Sequence, residues 1–545
     1  MVVAGRKRAW SAARLFEGAV LRVGQCLGTD SMGETMGIRV LFVVKELMGA
    51  EPIGSLYVAG ALMAAGHTCR FTGTRGNDVV EVVHDWRPHV IAYSATTGLH
   101  KYYLGLNARL KEVHSFVSLM GGAHPTFFPE VIMTPGLDVI CRGEGEDAAV
   151  ELCNALAIGG EYRSIADLWV KVDGVVYRNG PRALRRDLDE IPHPPRHLLY
   201  EYDDSLRQRP LKSFTTNRGC PFPCSYCFNP SLVDHYGGSW KKVRIRSPED
   251  VVAELAAVKR QGPLQVIGFR ESIFVYSTKW LKRFGELYRK EIGLPYYCHV
   301  RPDMMKQEFV DLLAWSGCHT VNVGIETANE RLANEVLRRN IKMDKLVAGI
   351  ERLKKAGIVV FSDNILGIPG GTLEDDLATL QLNIDLDVDY AAATLCTPYP
   401  GTGVARYAIK HGHFDGDFDA IDQSYYTTSV LKFSSEMEKR QIENLQKLFA
   451  ITVALPQLLP LVRQLIKLPT NDFFYAAFRA WYLVAHMTDV MPRVPNPAQL
   501  TEGLLSIFGV YRDQDPNVYP WPQPESLPVV DAPRPQRMEV SHVKR

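Results

Sequence analysis

The sequence predicts an α/β protein: a doubly wound parallel sheet, then a partial (β/α)6 TIM-like barrel, then an α-helical C-terminal domain. Three observations carry this. Short apolar runs alternate with helical patterns from residue 37 onward, the mark of parallel βαβ units. The alternation lapses over 161–210, where IPHPPRH reads as a crossing segment, and resumes at Ser213. Beyond about residue 405 the strand signal stops and long helical patterns take over. A chain of 545 residues exceeds one ordinary core, so roughly two to four domains are expected.

Residues 1–36 form an N-terminal extension. MVVAGRKRAWSAARLFEGAVLRVG is basic but lacks a continuous apolar run, so it does not read as a signal peptide. An amphipathic surface helix and an extension upstream of a start at Met32 or Met36 both stay open. The first domain covers 37–160. Its expected strands are IRVLFVVK, HTCRFTG, VIAYSA, FVSLMGG and LDVICRG, and its helices run over 55–65, to near Trp86, around 103–114 and over 146–157. Residues 161–210 hold two short strands, LWVKVDG and VVYRNG, within a linker.

The barrel covers 211–405. Its expected strands are SFTTNR, VIGFRE, YYCHVR, TVNVGIE, VVFSDNILG and AAATLCT. Ser247, with Asp250 three residues on, and Thr372 with its trailing acids read as helix starts. About six βα units in this length fit a partial barrel, not a full eight-stranded one. The helical domain covers 406–513, and a Pro- and charge-rich tail, 514–545, reads as irregular.

Composition narrows the function classes. The chain is 46% hydrophobic and 23% charged, ordinary for a globular protein, and its net charge of +1 offers no polyanion-binding field, so nucleic acid is not an expected partner. The longest apolar run, Leu448 to Val462, is broken by Pro456 and Pro460, so no spanning helix and no membrane contact are expected. Of ten cysteines, seven are scattered, which suits a reducing cytoplasm better than a disulfide framework.

The other three are Cys220, Cys224 and Cys227, in TTNRGCPFPCSYCFNP. Three thiolates at this spacing can face one iron–sulfur cluster and leave one iron open for a chelating cofactor. The alternatives are zinc, which wants a fourth ligand where His235 is the nearest downstream histidine and no paired CxxC exists, and three structural cysteines.

A CxxxCxxC with an aromatic, Tyr226, before its last cysteine resembles the radical S-adenosylmethionine (SAM) superfamily, and the resemblance spans roughly 210–405. It implies a [4Fe–4S] cluster whose open iron is chelated by the amino and carboxylate groups of SAM. One electron, from a donor such as flavodoxin or ferredoxin, cleaves SAM to methionine and a 5′-deoxyadenosyl radical. It also implies cofactor contacts. Tyr226 and Phe228 flank Cys227. Glu271, in GFRESIF, would hold the SAM amino group; its other reading is a surface acid that starts a helix. Glu326, in VGIET, would meet the ribose, or else be a structural salt-bridged Glu. Arg301, in CHVRPDMM, would meet the SAM carboxylate, or else form an interdomain ion pair. Ile368 lies in ILGIPGGT, the segment expected against adenine, where glycine permits close approach. TPYPGT resembles the closing turn of the barrel.

Loops 45–55, 94–98 and 121–130 lie beyond the carboxyl ends of the first domain's strands, where doubly wound sheets bind ligands. No GxGxxG follows the first strand, which disfavours a dinucleotide. EPIGSLYVAGAL, GGAHPT and DVICRGEGE together resemble the cobalamin-binding domain found ahead of radical SAM barrels. The resemblance implies that Ser94, Thr96 and Gly122 line the groove for the cobalamin nucleotide tail. The DxHxxG motif is absent, so base-off cobalamin with no protein histidine on cobalt is expected, its lower face covered by Leu47 and Met48 of the 45–51 loop. Some members keep this fold and bind no cobalamin.

The resemblance implies a monomeric methyltransferase that acts on an unactivated carbon of a small-molecule substrate. One SAM methylates the corrin cobalt, and a second supplies the radical. An oxidative cyclase with the same cofactors and a non-catalytic sensor are the alternatives.

Overall fold

The computed structural model describes residues 37–45, 51–74, 79–274, 277–421, 426–485 and 522–532. The first sheet contains β1 (Arg39–Val44), β2 (Thr68–Gly73), β3 (Val90–Ser94), β4 (Val117–Gly121), β5 (Val139–Cys141), β6 (Leu168–Val172) and β7 (Val175–Arg178). The parallel part runs β2-β1-β3-β4-β5, so the strand order reverses between β1 and β3. The run RVLFVV explains why both faces are covered. Val40 and Phe42 enter one apolar cluster, and Leu41 and Val43 enter another on the opposite face.

The segment read as a linker differs from expectation. Residues 168–178 form β6 and β7, which extend the first sheet antiparallel from β5. Leu198, Leu199 and Tyr200 join that sheet's core, and Arg196 is 1% exposed, between Glu51 and Glu254. The tail differs too: β16 (Val529–Asp531) pairs with β7 at the sheet edge.

The barrel contains β8 (Leu211–Phe214), β11 (Val266–Phe269), β12 (Tyr296–Val300), β13 (Cys318–Glu326), β14 (Val359–Leu366) and β15 (Tyr390–Leu395), all parallel, in the order β15-β14-β13-β12-β11-β8. Two-residue strands β9 (Asn217–Arg218) and β10 (Arg244–Ile245) pair with each other beside it. Alternation sorts the β13 side chains. Val321, Val323 and Ile325 pack outward against helices at 0% exposure, while Asn322, Gly324 and Glu326 lie on the inner face.

The described C-terminal helices share the core of the barrel. Ile442, Leu445 and Phe449, on the helix Glu436–Ala454, share one apolar cluster with the barrel strands. Gln446 Nε2 donates to the Ala393 carbonyl at 2.9 Å. The helix thus covers β15, an edge strand that would otherwise present unpaired backbone.

Candidate active site at the facing edges of the two sheets

The cysteine loop leaves β9 and returns through β10, so that two-rung ladder closes it at the root. Cys220 and Cys224 are buried and Cys227 is half-buried. Ser225 anchors the loop tip: its N–H donates to the Leu337 carbonyl at 2.8 Å and its hydroxyl to the Val336 carbonyl at 2.6 Å. Asn229 Nδ2 donates to Cys227 Sγ at 3.3 Å, and Arg301 Nη1 to Cys224 Sγ at 3.8 Å. Burial pushes both thiols up, opposed at Cys224 by Arg339 and Arg301 and at Cys227 by Asn229. A bound metal ion deprotonates such thiols outright. Among the described residues no three His, Cys, Asp or Glu side chains converge on one ion.

Glu326 ends β13 at a bulge, with φ of +65°, a left-handed conformation that a Glu side chain adopts only under constraint. Tyr226 Oη donates to Glu326 Oε1 at 2.8 Å, which ties the cysteine loop to this strand end. Burial raises the Glu326 carboxyl, and the nearby Arg339 guanidinium opposes the rise. Arg339 places its hydrogen bonds on the carbonyls of Ile325 and Gly324, at 2.6 Å each, so it braces the bulge. No sequence pattern singled out Arg339; the turn Arg338–Asn340 that presents it is built on positive φ at two non-glycine residues.

Glu271 is 5% exposed and precedes the helix Thr278–Glu291 by several residues, so the surface-acid reading fails. Thr216 Oγ1 donates to its Oε1 at 2.5 Å, while Oε2 is buried without a partner. Burial pushes this carboxyl up to about 7. An orphaned buried carboxylate oxygen suits a cationic ligand group. Arg301 pairs with Asp303 two residues on, at 3.0 Å, not across domains, and its guanidinium lies 3.9 Å over the Phe222 ring, beside Cys224. Ile368 is buried between Gly367 and Gly370, both with positive φ. Phe228 packs between Phe127 and Tyr399.

In the first sheet a crevice of about 260 Å3 opens where the strand order reverses. Ser94 and Thr96 line it with Val44, Lys45, Ser55 and Tyr103. Doubly wound sheets place ligands at such switch points. Gly122, with φ of +97°, lies beside it: a Cβ there would come within 2.8 Å of the Ala95 carbonyl. Among the described residues no histidine lines the crevice. His67 accepts from the Ile38 N–H at the opposite sheet end, and His100 and His124 stack on each other, both kept neutral by burial. Leu47 and Met48 lie outside the described residues.

The first lobe and the cysteine loop are in contact. Phe127, on the helix Ala123–Phe127, stacks on Phe228. Glu144, in the turn after β5, and Glu146, the first residue of the helix that follows, pair with Arg218 and Arg244 at the loop root.

A sheet lobe with a ligand crevice at its switch point, docked on a three-cysteine loop of a parallel half-barrel, defines a class with two cofactor lobes. Comparison with known proteins agrees. The Radical SAM superfamily model matches residues 214–382 and the B12 binding domain model residues 43–153. An uncharacterised methyltransferase of Pyrococcus horikoshii is 30% identical over 379 residues, 68% of this chain and 81% of that protein. The anaerobic magnesium-protoporphyrin IX monomethyl ester cyclase of Rubrivivax gelatinosus is 28% identical over 397 residues, 67% of this chain and 68% of that one. The solved radical SAM methyltransferase TsrM from Kitasatospora setae shares the fold, with a TM-score of 0.58 at 19% identity, over 69% of this chain and 75% of that one. The chain belongs to the radical SAM superfamily, in its cobalamin-dependent methyltransferase branch. It is an enzyme, and its cofactors are a [4Fe–4S] cluster, SAM and cobalamin. Among the described residues no helix is long and apolar enough to cross a membrane.

Proposed function

We propose that the enzyme transfers a methyl group to an unactivated carbon of a small-molecule substrate held between the crevice and the cysteine loop. The observation that carries this is the docking of the two cofactor lobes edge to edge through Phe127 and Phe228 and through Glu144, Arg218 and Arg244. When bound, the cofactors supply a transferable methyl group and a hydrogen-abstracting radical, and the protein supplies position. Cys220, Cys224 and Cys227 would ligate the cluster. Glu271, with its orphaned oxygen, would take the SAM ammonium, Glu326 the ribose hydroxyls and Arg301 the carboxylate. Ile368, between its two left-handed glycines, would face the adenine, and Tyr226 would hold Glu326 in place. Ser94, Thr96 and Gly122 would line the corrinoid tail groove.

A cyclase reading keeps every cofactor and changes only the product; the identity to the Rubrivivax cyclase over two thirds of both chains favours carrying it. A one-electron donor of the flavodoxin or ferredoxin kind, a monomeric state and a cytoplasmic location complete the reading.

The test is cluster-reconstituted, cobalamin-loaded protein given methyl-labelled SAM and cell extract. Labelled product with deoxyadenosine supports methylation. Deoxyadenosine with an unlabelled, oxidised product supports the cyclase. A cobalt(II) spectrum split by histidine nitrogen refutes the ligand arrangement, and absence of corrinoid refutes the reading.

A further inference from the structure

The root of the cysteine loop holds an arrangement that neither cofactor site requires. The loop is closed by two rungs, Arg244 opposite Arg218 and Ile245 opposite Asn217. Like charges directly opposite on a ladder repel, and so short a ladder is marginal by itself. The carboxylate that relieves the repulsion comes from the other lobe. Glu144 Oε1 lies 2.6 Å from Arg244 Nη2 and 3.2 Å from Arg218 Nη1, and its Oε2 accepts from Arg244 Nη1 at 3.0 Å. Arg218 also meets Glu146 Oε1 at 2.6 Å and lies over the Tyr57 ring at 5.0 Å. The Glu144 N–H donates to Tyr236 Oη, inside the loop, at 2.8 Å. Gly143, with φ of +98°, permits this approach: a Cβ there would come within 1.9 Å of the same Tyr236 oxygen. A forked Arg–carboxylate contact fixes direction as well as distance.

We propose that Glu144, gripped by Arg218 and Arg244, is the positioning residue that sets the cluster loop at one separation from the corrin face. The proposal rests on the reading above that both cofactors bind. Because the same carboxylate closes the loop and belongs to the sheet lobe, the loop cannot close in a register that ignores that lobe. Burial alone would raise the Glu144 carboxyl, but the two guanidiniums hold it low, so the grip persists across the neutral range.

The experiment uses the full chain, reconstituted with cluster and loaded with cobalamin, and reads the cluster-to-cobalt distance by pulsed dipolar electron paramagnetic resonance between the reduced cluster and cob(II)alamin. The native enzyme should give one narrow distance. Glu144→Ala should lose it and give a broad distribution, with iron, corrinoid and deoxyadenosine formation unchanged. Gly143→Ala, which pushes the turn off Tyr236 while keeping every charge, should do the same. Glu144→Gln should fall between, because its oxygen can keep Arg218 Nη1 and Arg244 Nη2 while its amide meets Arg244 Nη1. A distance as narrow as native in iron- and corrinoid-replete Glu144→Ala overturns the proposal. So does loss of cluster in both alanine variants, which would make the contact a folding element. Native enzyme without corrinoid sinks the functional reading itself, a different result from either.

Discussion

Phe127 and Phe228 lie face to face, ring centroids 4.9 Å apart and planes within 5°, one on the first lobe and the other directly after Cys227. The pair is half-buried, and Gly401 packs against the Phe127 side chain. Stacked aromatics add about 0.5–1.5 kcal/mol beyond their buried area. Phe127→Ala should therefore destabilise the holoenzyme by about 1–3 kcal/mol, counting lost area. Phe127→Leu, which keeps much of the area, should cost less. Thermal unfolding of both variants checks this; two melting curves that match the native one contradict it.

On the proposed assignment of Cys220, Cys224 and Cys227 as the protein's ligands to the cluster, Cys224→Ala should abolish the cluster absorbance and all deoxyadenosine formation. Iron content and product analysis decide it. Full iron with continued SAM cleavage would remove Cys224 from the ligands.

Glu326→Gln should weaken SAM binding about ten- to a hundredfold, since charge-assisted hydrogen bonds are worth about 1.5–3 kcal/mol and each 1.4 kcal/mol is about tenfold. Iron and corrinoid content should stay native. The bulge is braced through Arg339 and backbone carbonyls, so the variant should also melt near the native temperature. Unchanged SAM affinity in stable, iron-replete protein would end the ribose assignment.

Glu271 should make SAM binding depend on pH. Its carboxyl, raised by burial from 4.5 to about 7, keeps a proton in the folded protein that the unfolded chain has released. An acid with a raised folded pKa makes stability fall as pH climbs from about 4.5 to about 7 and level off above, a span worth about 3 kcal/mol at most. A bound ammonium draws the proton out, so SAM should bind more tightly as pH approaches 7 and release a proton below it. Calorimetry in buffers of different ionisation enthalpy reads that proton. Glu271→Gln should flatten both dependences; a native slope in that variant would clear Glu271 of the role.

The parts of this protein that read directly from sequence are those where chemistry constrains spacing. Three cysteines in eight residues speak for themselves, and Glu326 stands out as an acid at the end of an apolar strand. Contacts between distant segments do not. Arg339 reaches Glu326 from a turn whose positive φ values leave no residue signature. Arg218 and Arg244 look like ordinary surface charges until the ladder sets them side by side. β6 and β7 are five and four residues long; both read as strands, but beside a proline cluster they read as part of a linker and not of the first sheet. β16 has three exposed residues, too few to show any alternation.

That last strand changes what the chain is topologically. Val529–Asp531 lies parallel to β7, Val176 donates to the Pro528 carbonyl at 2.9 Å, and Leu527 packs into the first sheet's core. The barrel is therefore an insertion, bracketed by two stretches of one sheet. A fragment cut after the barrel would leave the β7 edge bare, a template for pairing with other chains. The first lobe expressed alone should self-associate, and a tag fused close behind Asp531 would press on the sheet that holds the crevice.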